Sequence, residues 1–125
     1  MQSEGKCELL RLLSDDAGLL QLELVERSFH PDTASGLDAI GPLLGERGYA
    51  RVVVLSLAAT RFVSSSGLAT LLTWHKRFRQ AGGRLVLHSI TVAVMETLRV
   101  MRMERVLTVA PDLASALEAA RGGAS

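Results

Sequence analysis

Residues 51–78 read RVVVLSLAATRFVSSSGLATLLTWHKRF. Two periodicities adjoin in this stretch. Val52-Val53-Val54-Leu55 is a short, continuous, β-branched run, the pattern of a central strand covered on both faces. After Gly67, the residues Leu68, Leu71, Leu72, His75 and Phe78 recur at steps of three and four, one stripe of an amphipathic helix. Gly82 then ends the helix in the usual C-terminal manner. A strand that passes through a polar turn into a helix is the unit from which α/β layers are built.

The flanking sequence repeats the alternation. Upstream, Leu20, Leu22 and Leu24 alternate with Gln21 and Glu23, the period of a half-buried strand, and the less regular apolar run from Cys7 to Leu13 reads as an edge strand. Downstream, Leu85-Val86-Leu87 follows the Gly82-Gly83 turn, and Val106-Leu107-Thr108-Val109 is the last strand candidate. Val92, Met95, Leu98 and Val100 outline a second helix. Leu113, Ala116, Leu117 and Ala120 outline a third, with Pro111 and Asp112 where a helix start favours a proline and a carboxylate. Leu37, Ile40 and Leu44 suggest one more helix between Ala34 and Glu46. Pro42 should kink or break it, since an interior proline costs about 3 kcal/mol. The sum is an α/β fold: a small mixed, largely parallel sheet of four to five strands, about four helices and right-handed crossovers. With 125 residues, no repeat and no linker, residues 1–125 form one domain, and 121–125 are expected to fray.

Composition narrows the function classes. Apolar residues make up 48% and charged residues 22%, ordinary globular usage that excludes a disordered chain. A net charge of +1 and five scattered aromatics argue against a nucleic-acid partner. The longest stretch without a charged residue, Phe62 to His75, is shorter than the roughly 20 residues of a membrane span and holds three serines, so no membrane insertion is expected. Cys7 is the sole cysteine and the N-terminal residues show no export signal, so a cytoplasmic, reducing location is expected.

Chemistry concentrates in Phe62-Val63-Ser64-Ser65-Ser66-Gly67-Leu68. His30, His75 and His88 have no cysteine or carboxylate at ligand spacing, so no metal is expected, and no phosphate-binding loop implies a nucleotide or other cofactor. His75, on the apolar stripe, reads as a packed, hydrogen-bonded core histidine. Three readings of the serines compete. One serine caps the helix by accepting a bond from a first-turn N–H. A hydrolase elbow would need Gly-x-Ser-x-Gly, whose first glycine is missing, with an acid and a histidine following in order; the chain reads as a non-enzyme. Phosphorylation is the third, because an added dianion meets free N–H groups at a helix start. Charge is unevenly spread. Residues 1–50 carry nine acids and four bases, whereas 74–105 carry seven bases and two acids; the favoured reading is that long basic side chains solvate two helices, and the other is a surface for an acidic partner. Trp74 lies off the Leu68–Leu71–Leu72 stripe, beside Thr70 and Arg77, where an exposed tryptophan would anchor an interface.

The serine segment resembles the signature of the STAS family, named for sulfate transporters and anti-sigma factor antagonists: Asp-Ser-Ser-Gly-Leu after an apolar strand, matched here by Ser64-Ser65-Ser66-Gly67-Leu68. The resemblance extends along the chain. Phe29 to Ala34 is similar to the family's loop before its first helix, with Thr33-Ala34 matching Thr-Ala. Arg51 to Leu57 resembles its central strand, Ala81 to Leu87 its helix-to-strand return, and Val94 to Leu107 its third helix and final strand. The likeness implies a STAS-like mixed sheet with helices packed on it, and phosphorylation at Ser65 by a partner that is both serine kinase and anti-sigma factor. It implies docking through Ser64, Ser66, Gly67, Leu68 and His30, to which the helix adds Trp74 and Arg77. Family members carry Asp at the positions of Ser64, Ser56 and His30, carboxylates that shape an acidic docking surface and are absent here. A constitutive, unphosphorylated STAS scaffold in a larger signalling or transporter-associated assembly is the alternative. Partner identity and oligomeric state stay open.

Overall fold

Alternation along three strands sets the layers. The computed structural model describes residues 10–16, 19–29 and 40–123. Strands β1 (Leu10–Asp16), β2 (Leu19–Leu24), β4 (Val52–Ser56), β6 (Arg84–His88) and β7 (Val109–Ala110) form one sheet in the order β1-β2-β4-β6-β7. β1 runs antiparallel to β2, and every other pairing is parallel. The register pairs Leu20 with Val53 and Leu22 with Leu55, while Val53 and Leu55 pair onward with Leu85 and Leu87. All six therefore point to one face.

On that face lie α2 (Ser65–Gln80) and α3 (Val92–Val100), which contribute Leu68, Leu71, Trp74, Phe78, Val94 and Leu98 to the main core. Removing each large apolar side chain from water contributes about 1.5–3 kcal/mol. The opposite face holds Val54 and Val86, covered by Ala116 and Ala120 from α4 (Leu113–Glu118) and the π turn after it (Ala119–Gly123). Toward β1 that second face carries polar residues, and Arg11 meets Glu23 at 3.4 Å. This explains why β2 alternates while β4 and β6 read as continuous apolar runs.

Two short pieces lock the helix side to the sheet. β3 (Ser28–Phe29) and β5 (Phe62–Val63) pair in parallel as a separate ribbon. The helix α1 (Gly41–Leu44) is a single turn with Pro42 in its first turn, and it passes into a 3-10 segment, Gly45–Ala50. Pro42 thus sits at the start of a helical turn, and residues 34–39 of the expected broken helix lie outside the described residues. The buried Arg51 guanidinium donates to the Leu44 carbonyl at 3.4 Å and to the Asp15 carboxylate. That contact, first among its causes, lowers the Asp15 pKa below the ordinary 3.8. At Gly83 a Cβ would overlap the Tyr49 and Arg51 carbonyls, so a glycine is required where β6 starts beside this crossing.

Several expected boundaries shift. The described part of the edge strand is Leu10–Asp16, which runs past the expected end at Leu13, and Cys7 lies outside the described residues. The last strand is Val109–Ala110 instead of Val106–Val109. Arg102 adopts a left-handed conformation, a 3-10 turn follows at Met103–Arg105, and the Leu107 N–H bonds the Met103 carbonyl at 2.8 Å, which turns Leu107 into the core before the sheet is reached. Of the tail expected to fray, Arg121–Gly123 belong to the π turn, and 124–125 lie outside the described residues.

Candidate functional site

The serine segment leaves the ribbon and starts α2. Ser64 holds the junction: its N–H donates to the Phe29 carbonyl at 3.0 Å, and its Oγ accepts from the Gly67 N–H at 3.1 Å as the helix N-cap. The same Oγ lies 3.3 Å from the Phe29 carbonyl and 2.9 Å from Ser66 Oγ. Ser66 is half-buried, and its carbonyl accepts from Thr70 Oγ1 at 2.9 Å. Ser65 is the first helical residue and is exposed, and its hydroxyl joins none of the bonds that fix Ser64 and Ser66. The three serines thus divide into two that hold the turn and one that faces solvent.

Gly67 and Leu68 serve the interior. A Cβ at Gly67 would come within 2.5 Å of the Phe29 carbonyl oxygen and 2.7 Å of Val63 Cγ1, so only glycine lets the helix start pass this close to the ribbon. Leu68 is a core residue. Neither offers a surface to a partner, which corrects the expectation that they dock directly.

Trp74 is also corrected. Its side chain is fully buried, at 0% exposure, and its ring centroid lies 6.0 Å from that of Phe29. The buried stripe of α2 runs through Gly67, Thr70, Leu71, Trp74 and Phe78, wider than the leucine pattern implied, because the ribbon and Phe29 cover the side expected to face solvent. Arg77 is exposed, but its guanidinium sits 5.7 Å from the Tyr49 ring centroid and 3.3 Å from the Tyr49 hydroxyl. At about 1.5 Å per residue it lies roughly 18 Å along the helix from Ser65, so the two do not form one patch. His75 is buried as expected, and burial, helped by Arg79, lowers its pKa below 6.5. His30, Thr33 and Ala34 lie outside the described residues.

Other exposed groups lie on the ribbon that leads into Ser65. Phe62 is 54% exposed although its neighbour Val63 is buried. Arg27 and Arg61 are both exposed, and the Arg61 and Phe62 N–H groups donate to the Arg27 carbonyl at 2.7 and 3.1 Å. The sequence held the signal for Phe62: in a strand, an inward Val63 sends Phe62 outward. Nearby, Ser56 is buried and accepts from the Ala58 N–H at 3.2 Å. Its strand partner His88 is buried too, with Nδ1 2.9 Å from Ser89 Oγ. Burial lowers the His88 pKa, against an opposing pull from Asp112. Among the described residues no three His, Cys, Asp or Glu side chains gather as a metal site, and no helix is long and apolar enough to cross a membrane.

Comparison with known proteins follows the same outline. The family model described as the STAS domain matches residues 6–116. A Thermotoga maritima structure, provisionally assigned as an anti-sigma factor antagonist, superposes with a TM-score of 0.75 at 15% identity, covering 91% of this chain and 96% of its own. An anti-sigma factor antagonist from Mycobacterium paratuberculosis gives 0.68 at 21% identity, covering 90% and 94%. The murine solute carrier 26 family member A9 anion transporter gives 0.72 at 14% identity, covering 87% of this chain but 18% of the transporter. No curated protein sequence matches the chain. At these identities the structures establish the fold, and the family model, spanning most of the sequence, establishes the family. The chain belongs to the STAS domain family.

Proposed function

We propose that this chain is a regulatory binding module that docks a protein partner of the anti-sigma factor or serine kinase type through the exposed surface around Ser65, and that phosphorylation of Ser65 switches the docking. The observation that carries this reading is the division of labour among the serines. Ser64 and Ser66 are tied into the turn, whereas Ser65 stands exposed at the first position of a 16-residue helix. A phosphate added there meets the positive end of the helix dipole, so the fold tolerates a charge of about −2 that cancels the positive charge of the surface. Phe62 supplies exposed apolar area next to it, and Arg27 and Arg61 supply positive charge in place of the family's carboxylates. Ser65→Asp is expected to weaken partner binding about tenfold or more while Ser65→Ala leaves it intact. Titration of both variants against the captured partner checks this, alongside mass spectrometry of the chain after incubation with kinase and ATP.

A constitutive scaffold is the second reading. It is favoured by the neutral Ser56 and Ser64 at positions where the family carries acids, and by the likeness to a transporter domain. It predicts equal affinity for the two Ser65 variants and no phosphate on Ser64, Ser65 or Ser66.

A further inference from the structure

At the far end of α2 from Ser65, a half-open cleft of about 480 Å³ lies where β6 begins. Its walls come from four separate parts of the chain: His75 and Arg79 on the last turns of α2, Arg84 and Leu85 at the start of β6, Arg105 and Leu107 on the approach to β7, and Ala119 in the π turn after α4. A second hollow of about 400 Å³ shares His75 and Arg79 and adds Lys76 and Gln80. No acidic side chain lines either one among the described residues, although Glu104 and Glu118 are sequence neighbours of lining residues.

Arginines in the last turn of a helix are explained by the helix dipole alone. That accounts for Arg79. It does not account for Arg84 and Arg105, which reach the same space from a strand and a 3-10 turn. Arg84 is held in place, since its Nη1 donates to the Ala119 carbonyl at 2.6 Å. Arg79 and Arg105 are exposed and form no ion pair with another described residue. Three like charges gathered around one concavity repel each other, and His75 beside them is disfavoured as a cation by its burial and by Arg79. A bound anion relieves that repulsion. Leu85 and Leu107 are almost wholly buried, but Val106, 47% exposed, lines both hollows and offers an apolar surface to a carbon body beside the charged groups.

We propose that this cleft binds a small organic polyanion bearing phosphate or carboxylate groups, held by Arg79, Arg84 and Arg105, at a site separate from the serine surface. Guanidinium groups suit both oxyanions because they bond them in a bidentate fork. The proposal is independent of whether Ser65 is phosphorylated.

Pyrophosphate and citrate serve as probes, titrated into the intact protein by calorimetry at low salt with amide NMR mapping. At least one is expected to bind at about 1 mM or tighter and to shift amides of residues 82–85 and 105–107. A pyrophosphate preference identifies a phosphorylated ligand, and a citrate preference a carboxylate ligand. Arg79→Gln and Arg105→Gln, both changes of exposed side chains, are each expected to weaken binding about tenfold, whereas Arg99→Gln on α3 leaves it unchanged. Absence of binding up to about 10 mM, or equal loss in the Arg99 variant, overturns the site. So does a polyglutamate peptide that binds more tightly than both probes and shifts α3, because the region is then a protein-docking face.

Discussion

Trp74 shows how much a single side chain commits this fold. It closes the space between α2 and β3 against Phe29, and its indole N–H is buried without an acceptor among the described residues. An orphaned donor costs about 1–3 kcal/mol, so the ring is retained for its packing and not for its hydrogen bond. Trp74→Ala is expected to cost about 3–5 kcal/mol of folding stability, a large share of the roughly 5–15 kcal/mol of a typical domain. Denaturant melts of the two proteins check this, and an unchanged midpoint would return Trp74 to the surface. The sequence contained the clue in a weak form. Trp74 falls three residues after Leu71 and four before Phe78, but Gly67 and Thr70 complete that stripe with residues that carry little hydropathy. The leucines at 68 and 72 drew the stripe to one side.

Among the elements, α2 carries the most consequence, because it joins the serine surface at its start to the cationic cleft at its end. Its start depends on one hydroxyl. Ser64 Oγ satisfies the Gly67 N–H and also touches Phe29 and Ser66, so Ser64→Ala removes a cap and loosens the turn that presents Ser65. The expected loss is about 1 kcal/mol, read as a lowered denaturation midpoint, with Ser64→Asp restoring most of it because a carboxylate caps equally well. Recovery by Asp separates capping from mere packing, which Asp would disturb. Elements long enough to show a pattern were legible in the sequence. β2, α2 and α3 reveal their buried faces by alternation or by helical spacing, and β4 and β6, covered on both faces, show as continuous apolar runs. The ribbon of β3 and β5 was not legible, since two residues per strand cannot display a period and their pairing joins segments more than thirty positions apart. The cleft was missed for a related reason. Its arginines come from three elements, and their count in the sequence showed an excess of positive charge without showing that it converges.

For the molecule as a whole, the buried histidines and the paired carboxylates divide the pH response into two ranges. His75 and His88 lie at opposite ends of the sheet, near the start and at the end of β6, and burial is the main cause that holds each pKa below 6.5. In the unfolded chain both take up protons as pH falls through 6.5, while in the folded protein they resist. The unfolded state therefore binds more protons in that range, and stability rises with pH across it. The histidine contribution is complete above 6.5 and is lost progressively below that value. Asp15 and Asp112 act lower on the scale. Hydrogen bonds from Arg51 and from the Ser115 N–H keep their pKa values under 3.8, so the stability they add is present above 3.8 and fades as pH falls beneath it. The melting temperature is thus expected to stay level from about pH 8 to 7, to decline as pH drops below about 6.5, and to fall again in strong acid. Calorimetry across this range, repeated on a His75→Gln and His88→Gln double variant, tests the assignment. The variant keeps the acid step but loses the one near neutrality, because glutamine has no proton to gain. A wild-type melting temperature unchanged between about pH 7 and 5 would show that neither histidine is shielded from water as its surroundings imply.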